Sequence, residues 1–208
     1  MDYKRLKKAE KDFLKRYPGG FAHPEMLEIG KKHKMDKMVN QTKEWFAKAR
    51  FKDTDEIVNS MVKTVTQSSM VSLFEKPKFR DTVKEMTPGE RESLAKGLKK
   101  LLHGNEKKGF EEVLDLLVDK KMAKWTLMTV VQNYYRPDKE VFVKPSTVKS
   151  VIQELGIDLL YKPRPSWEFY EAYRTIINDI KERVDPSLTD SNAAFCGFLM
   201  FTLGGWGK

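Results

Sequence analysis

Two runs of lysine are the residues in this chain whose type and spacing suit a defined chemistry, the contact of a flexible cation with a phosphate. Lys4, Lys7, Lys8, Lys11 and Lys15 recur near the start, and Lys31, Lys32, Lys34 and Lys37 crowd a second, shorter run. Ammonium groups grip phosphate oxygens without reading bases, so such a surface binds polyanions in a salt-sensitive, weakly selective way. Tyr17, Phe21 and Trp45 lie near these runs and are of the type that stacks on bases. The plainer account is that amphipathic helices turn lysines to water and aromatics to the core.

Other chemistries are poorly served. His23, His33 and His103 lack i, i+4 spacing and cysteine companions, so no metal site is expected. Cys196, the one thiol, sits among Phe195, Gly197, Phe198 and Leu199, apolar neighbours that suit a core position rather than a nucleophile. Glu111 with Glu112, Glu168 with Glu171, and Asp185 with Asp190 are groups that general acid–base chemistry recruits. In a chain with 33% charged residues such pairs also arise as solvated surface. Gly19-Gly20 lacks the Lys-Ser/Thr of a phosphate loop, and Gly204-Gly205-Trp206-Gly207 has no helix behind it, so no nucleotide or other cofactor is expected.

Charge locates the first of these chemistries. The 208 residues include 39 Lys and Arg against 30 Asp and Glu, a net charge of +9, and 14 of those cations but only 7 of the anions fall in the first fifty positions. The positive balance is an N-terminal property, the electrostatic footprint of a phosphate-binding surface. Hydrophobic residues at 40% indicate a globular chain, long enough to bury a core without metals or disulfides. A lone cysteine, a start MDYKRLKKAEKDF with no apolar signal core, and no run of membrane-spanning length point to a reducing cytoplasm and to no membrane partner. The nearest apolar run, Ala193 to Leu203, is too short and reads as a buried terminal helix ended by Gly204-Gly205.

The elements that must position these residues are helices. Asp2 to Arg16 carries a narrow apolar stripe of Leu6, Ala9, Phe13 and Leu14, so it lies on a body with its lysines mostly outward. Tyr17 to Phe21 breaks it, and Pro24 to Arg50 reads as one long helix or two abutting near Gly30. Asp53 or Thr54 caps a helix burying Ile57, Val58, Met61, Val62 and Val65; Pro77 separates it from a short piece with Phe79, Val83 and Met86. Thr87-Pro88-Gly89-Glu90 is a capping box opening a helix that buries Leu94, Leu98, Leu101 and Leu102. Phe110, Val113, Leu114 and Leu117 mark the next helix, and Trp125, Met128, Thr129 and Gln132 another.

The stretch Gln132 to Val184 has the sharpest punctuation. Pro137, Pro145, Pro163 and Pro165 follow Arg136, Lys144, Lys162 and Arg164, which belong outside helix interiors. A helix from Pro145 or Ser146 to Gly156 buries Val148, Val151, Ile152 and Leu155. Glu140 to Lys144 and Ile157 to Tyr161, on either side, read as a small two-stranded ribbon. Ser166 then opens a helix whose stripe is Trp167, Tyr170, Tyr173, Ile177, Ile180 and Val184. Tyr134, Tyr135, Arg136, Lys144, Lys162, Arg164, Trp167 and Tyr170 offer a second binding possibility, an aromatic–basic groove for a single strand or a peptide. Arg136 and Arg164, beside prolines in loops, are its best candidates for exposure.

The run FVKPSTVKSVIQELGIDLLYKPRPSWEFYEAYR, residues 142–174, resembles a segment of uncharacterised bacterial helical proteins, some of them associated with restriction or DNA defence. That resemblance implies a DNA-related setting and brings no catalytic signature and no functional residue.

These readings converge on an all-α, irregular multi-helix domain over 1–208 with a minor β element near 140–161. Residues 1–50 form a basic subregion, and residues 51–208 the body. The expected function is non-catalytic binding of nucleic acid through Lys4, Lys7, Lys8, Lys11, Lys31, Lys32, Lys34, Lys37, Arg136 and Arg164. The alternatives are a protein-interaction or scaffold module, and a helical enzyme built on the carboxylates.

Overall fold

A computed structural model describes residues 1–203, and local sequence signals account for most of its helix boundaries. α1 (Tyr3–Arg16), α4 (Thr54–Gln67), α7 (Glu106–Asp119) and α10 (Trp167–Lys181) each start behind a short polar residue. Asp2, Asp53, Asn105 and Ser166 accept a first-turn backbone N–H in these four places. That satisfies a donor with no partner inside the helix. α6 (Pro88–His103) opens on the expected capping box, with Thr87 Oγ1 accepting from Glu90 N at 3.3 Å and Glu90 Oε2 accepting from Thr87 N at 2.9 Å. α5 (Glu75–Lys84) begins before Pro77 rather than after it, because proline is tolerated in a first turn that needs no N–H.

Left-handed residues shape the reversals after α9 and within the 24–50 stretch. After α9 (Pro145–Glu154), Gly156 has φ 56°, and Ile157 N bonds Ile152 O at 2.9 Å while Gly156 N bonds Gln153 O at 3.3 Å, a Schellman closure. The 24–50 stretch is two helices, α2 (Pro24–His33) and α3 (Met35–Trp45). Their break falls at Lys34, with φ 53°, and Gly30 stays inside α2.

The expected ribbon does not form, and no strand occurs among the described residues. Both faces of Val141-Phe142-Val143 are buried, and the two valine amides go to side chains. Val141 N donates to Tyr170 Oη at 3.3 Å and Val143 N to Thr129 Oγ1 at 3.0 Å. With their donors taken this way, the β-branched residues serve as an apolar filler rather than one side of a ladder.

The core surrounds α8 (Trp125–Tyr135), where each residue from Trp125 to Tyr134 is buried. α3, α4, α6 and α7 pack on it, and α11 (Asn192–Leu203) joins α1, α9 and α10 on the other part of a continuous apolar cluster. The proposed terminator Gly204-Gly205 lies outside the described residues. No described helix is long and apolar enough to cross a membrane.

α6 and α7 form an antiparallel hairpin whose closeness depends on Gly109. A Cβ there would stand 2.1 Å from Leu101 N and 2.7 Å from Gly97 O, both backbone atoms that cannot step aside. Gly109→Ala is therefore expected to cost at least about 3 kcal/mol by overpacking. Gly30→Ala, with nothing within 4 Å of the added carbon, is expected to gain about 0.5–1 kcal/mol. Urea unfolding midpoints at constant m-value check both.

Candidate nucleic-acid interface

The α2–α3 corner concentrates cations by local geometry. Lys31, Lys32 and His33 occupy the last turn of α2, where the carbonyl end of the helix favours positive charge. Lys34 is the hinge, both the end of α2 and the start of α3, and Lys37 follows one turn on. All four lysines are exposed. Lys31 pairs with Glu28 at 2.8 Å, which raises the lysine pKa and lowers that of the glutamate through their hydrogen bond. Lys32, Lys34 and Lys37 have no ion pair among the described residues, and Asp36 is the acid in the first turn of α3. A chain of contacts then ties the corner to the core. His33 Nδ1 meets Ser69 Oγ at 2.9 Å, and the neighbouring Ser68 Oγ meets the buried Tyr134 Oη at 3.0 Å. The corner thus sits beside the 68–74 connection between α4 and α5.

The other candidates are placed elsewhere. α1 rests on α11, and its cap donates Asp2 N to Leu155 O at 2.7 Å, whereas α3 rests on α4 and α8. No hydrogen bond or ion pair among the described residues joins the two lysine runs. On α1, Lys7 pairs with Glu10 at 2.7 Å and Lys8 with Asp12 at 2.8 Å, while Lys4 and Lys11 are exposed with no ion pair among the described residues. Arg164 is exposed in the loop before α10.

The expected base-stacking aromatics belong to the core instead. Tyr17 is buried against Phe13, Phe21 also packs on Phe13, and half-buried Trp45 has Lys63 over its ring. The proposed aromatic–basic groove is likewise filled, since Tyr134, Trp167 and Tyr170 are buried.

Arg136 departs furthest from expectation. Instead of facing solvent it enters a cluster of two carboxylates, three cations and a phenol. Glu140, fully buried, accepts from Tyr170 Oη at 2.7 Å and from Arg174 at 2.9 Å through one oxygen. Arg136 stands 3.1 Å from its other oxygen, an ion pair without hydrogen-bond geometry. Glu106 accepts from Arg136 and Arg174, each at 2.9 Å, and from Lys139. Burial raises the Tyr170 pKa well above its usual range, helped by the Glu140 charge, so the phenol keeps the proton it donates. Burial alone would raise the Glu106 pKa too, but the hydrogen bonds from Lys139 and Arg174 and the charge of Arg136 outweigh it and hold the value at about 2. Glu106 is an ionised strut near neutral pH, and Arg136 is committed to the fold.

Glu171 and Asp190 are exposed, and the other candidate reactive groups are engaged. Glu112 pairs with Lys100, Glu111 and Glu168 both approach Lys107, and Asp185 caps Ser187 N. Cys196 packs against the core, and burial pushes its thiol up to about 12. His23 caps α2, and His103 bonds Phe46 O at 2.8 Å. Among the described residues no three His, Cys, Asp or Glu side chains converge as metal ligands.

No protein-family model matches the chain, and no curated protein or solved structure is similar to it. Two exposed residues escaped the sequence reading, Leu73 at 78% and Phe74 at 83% exposure, in the connection whose Ser69 meets the corner. Their available signal is position: they follow Ser72 and precede a first-turn proline, away from any apolar periodicity.

The ion cluster predicts a pH dependence. A carboxyl held at about 2 against a usual 4.5 contributes stability fully present above the higher value and lost as pH falls through the lower one. Glu106→Gln should flatten the loss of stability between about pH 5 and pH 2. Glu140→Ala, which leaves Glu106 alone to face Arg136, Lys139 and Arg174 and removes the acceptor of the buried Tyr170 hydroxyl, should cost about 3–5 kcal/mol in urea titrations at neutral pH.

Proposed function

We propose that the protein is a non-catalytic binder of nucleic acid that holds phosphates at the α2–α3 corner through Lys32, Lys34 and Lys37, with Lys31 shared with Glu28. Lys4 and Lys11 on α1 and Arg164 are outlying cations that a longer polyanion would meet. The expected setting is cytoplasmic. The observation that carries the reading is the gathering of four exposed lysines at one helix corner, three of which, Lys32, Lys34 and Lys37, have no ion pair among the described residues. Lys34 holds the left-handed region at φ 53°, a strain of about 1–2 kcal/mol that glycine would not carry. Exposed Leu27 and Leu160, at 51% and 77%, favour the second reading, a protein-interaction module. Light scattering after size exclusion, together with a pull-down, tests that alternative.

Anisotropy titration of the protein into labelled oligonucleotide tests the main reading. Affinity is expected to fall steeply with salt and to be lost when Lys31, Lys32, Lys34 and Lys37 are changed together to Glu. Lys34→Gly separates strain from charge. Its unfolding free energy from urea titration should stay level or rise by up to about 1 kcal/mol. Its log–log salt slope should be shallower by about 0.7–0.9. Lys121, the other non-glycine residue with positive φ, at 56°, is the control. Lys121→Gly should match the stability effect and leave binding unchanged. Absence of binding even at low salt removes the proposal.

A further inference from the structure

The 68–78 segment holds two large apolar side chains in water by construction. Met70 and Val71 turn inward onto the core, and Ser68 is pinned by Tyr134. Ser72 Oγ then accepts from Phe74 N at 3.2 Å and from Glu75 N at 3.4 Å, locking the turn that starts α5. Phe74 has helical φ and ψ as the residue that leads into α5, and it is 83% exposed.

The charges around it are not explained by helix stability. Lys76 and Lys78 stand in the first turn of α5, the end where the helix dipole disfavours cations. Neither has an ion pair among the described residues. Glu75, the acid in that turn, is turned towards Thr126, whose Oγ1 donates to it at 3.0 Å. On the other side, the His33–Ser69 bond sets the Lys34–Lys37 corner beside the same segment. The exposed aromatic thus lies in a segment that touches the cationic corner at Ser69 and carries Lys76 and Lys78 just beyond Phe74.

We infer that Phe74 is a base-stacking platform and that the nucleic acid taken at the α2–α3 corner is single-stranded, with phosphates on Lys34 and Lys37 on one side and Lys76 and Lys78 on the other. This rests on the polyanion reading above and narrows its substrate. A duplex hides its base faces, so only an unpaired strand gains from an exposed ring, and every base has a face to offer, so little sequence preference follows. A lipid surface fits less well, since two apolar residues flanked by Ser72 and Glu75 supply little area for insertion.

The test compares a labelled oligothymidylate of about twelve nucleotides, within the span single-strand binders occupy, with a duplex of the same length. Phe74→Ala is expected to weaken single-strand binding by about tenfold or more, the loss of one stacked base, and to leave duplex binding within about twofold. Phe74→Trp should restore single-strand affinity, and Leu73→Ala should leave it unchanged. The exposure of Phe74 makes a folding defect in these variants easy to recognise as a shifted urea midpoint. Wild-type binding that Phe74→Ala does not weaken, or weakens equally for both oligonucleotides, overturns the stacking role and leaves the polyanion reading standing. Failure of the wild type to bind either oligonucleotide at low salt overturns both. Binding to phosphatidylcholine vesicles containing phosphatidylserine that is lost alike in Leu73→Ala and Phe74→Ala, with no single-strand preference, assigns the tip to a membrane surface and overturns the inference.

Discussion

A carboxylate taken wholly out of water must find cations and hydrogen-bond donors, and Glu140 finds two guanidinium groups and a phenol. Tyr170 and Arg174 come from α10, Arg136 from the end of α8, and Arg174 and Arg136 also hold Glu106 at the start of α7. Arg136 Nη2 further donates to Leu101 O near the end of α6 at 3.1 Å. One buried charge thus joins α10 to the ends of α6 and α8, the start of α7 and the 137–144 connection. Desolvation makes the cluster a poor source of net stability, but it makes other arrangements worse, because any displacement of α10 strands a buried ion. The extended segment inherits its course from the same place, since Tyr170 serves both Glu140 and the Val141 amide.

That rigid interior gives the surface its definition. Tyr134, buried in α8, holds Ser68, and the next residue, Ser69, holds His33 at the cationic corner. The corner and the Phe74 turn are short, solvated elements of the kind that drift when left alone, yet both are referenced to the central helix through two hydrogen bonds. Strain at Lys34 and unfavourably placed Lys76 and Lys78 are tolerable on such a support. At these positions, as at Lys121, the choice of residue works against local stability.

Helix by helix, much of the architecture was legible because its signals are local. The Thr87–Glu90 box, the Asp53 and Ser166 caps, the Gly156 stop and the apolar stripes of α6, α7 and α10 each depend on residues within one or two turns. The ribbon at 140–161 failed for a nonlocal reason: β-branched residues mark a segment that wants burial, but Tyr170 and Thr129 took the amides a partner strand would have used. Arg136 failed likewise, since adjacency to Pro137 places it in a turn and says nothing of Glu106, 30 residues away.

The candidate site divides along the same line. Clustering of Lys31, Lys32, Lys34 and Lys37, and the excess of positive charge over the first fifty residues, are properties of the sequence itself, because neighbours in a short segment stay neighbours in space. Which aromatics remain in water is a tertiary decision. Tyr17, Phe21 and Trp45 look as available as Phe74 until packing removes them, and the corner meets the Phe74 turn only because His33 and Ser69 are brought together across 36 positions. Periodicity and caps act through backbone geometry over a few residues, whereas exposure and juxtaposition are fixed by how the apolar faces close around α8.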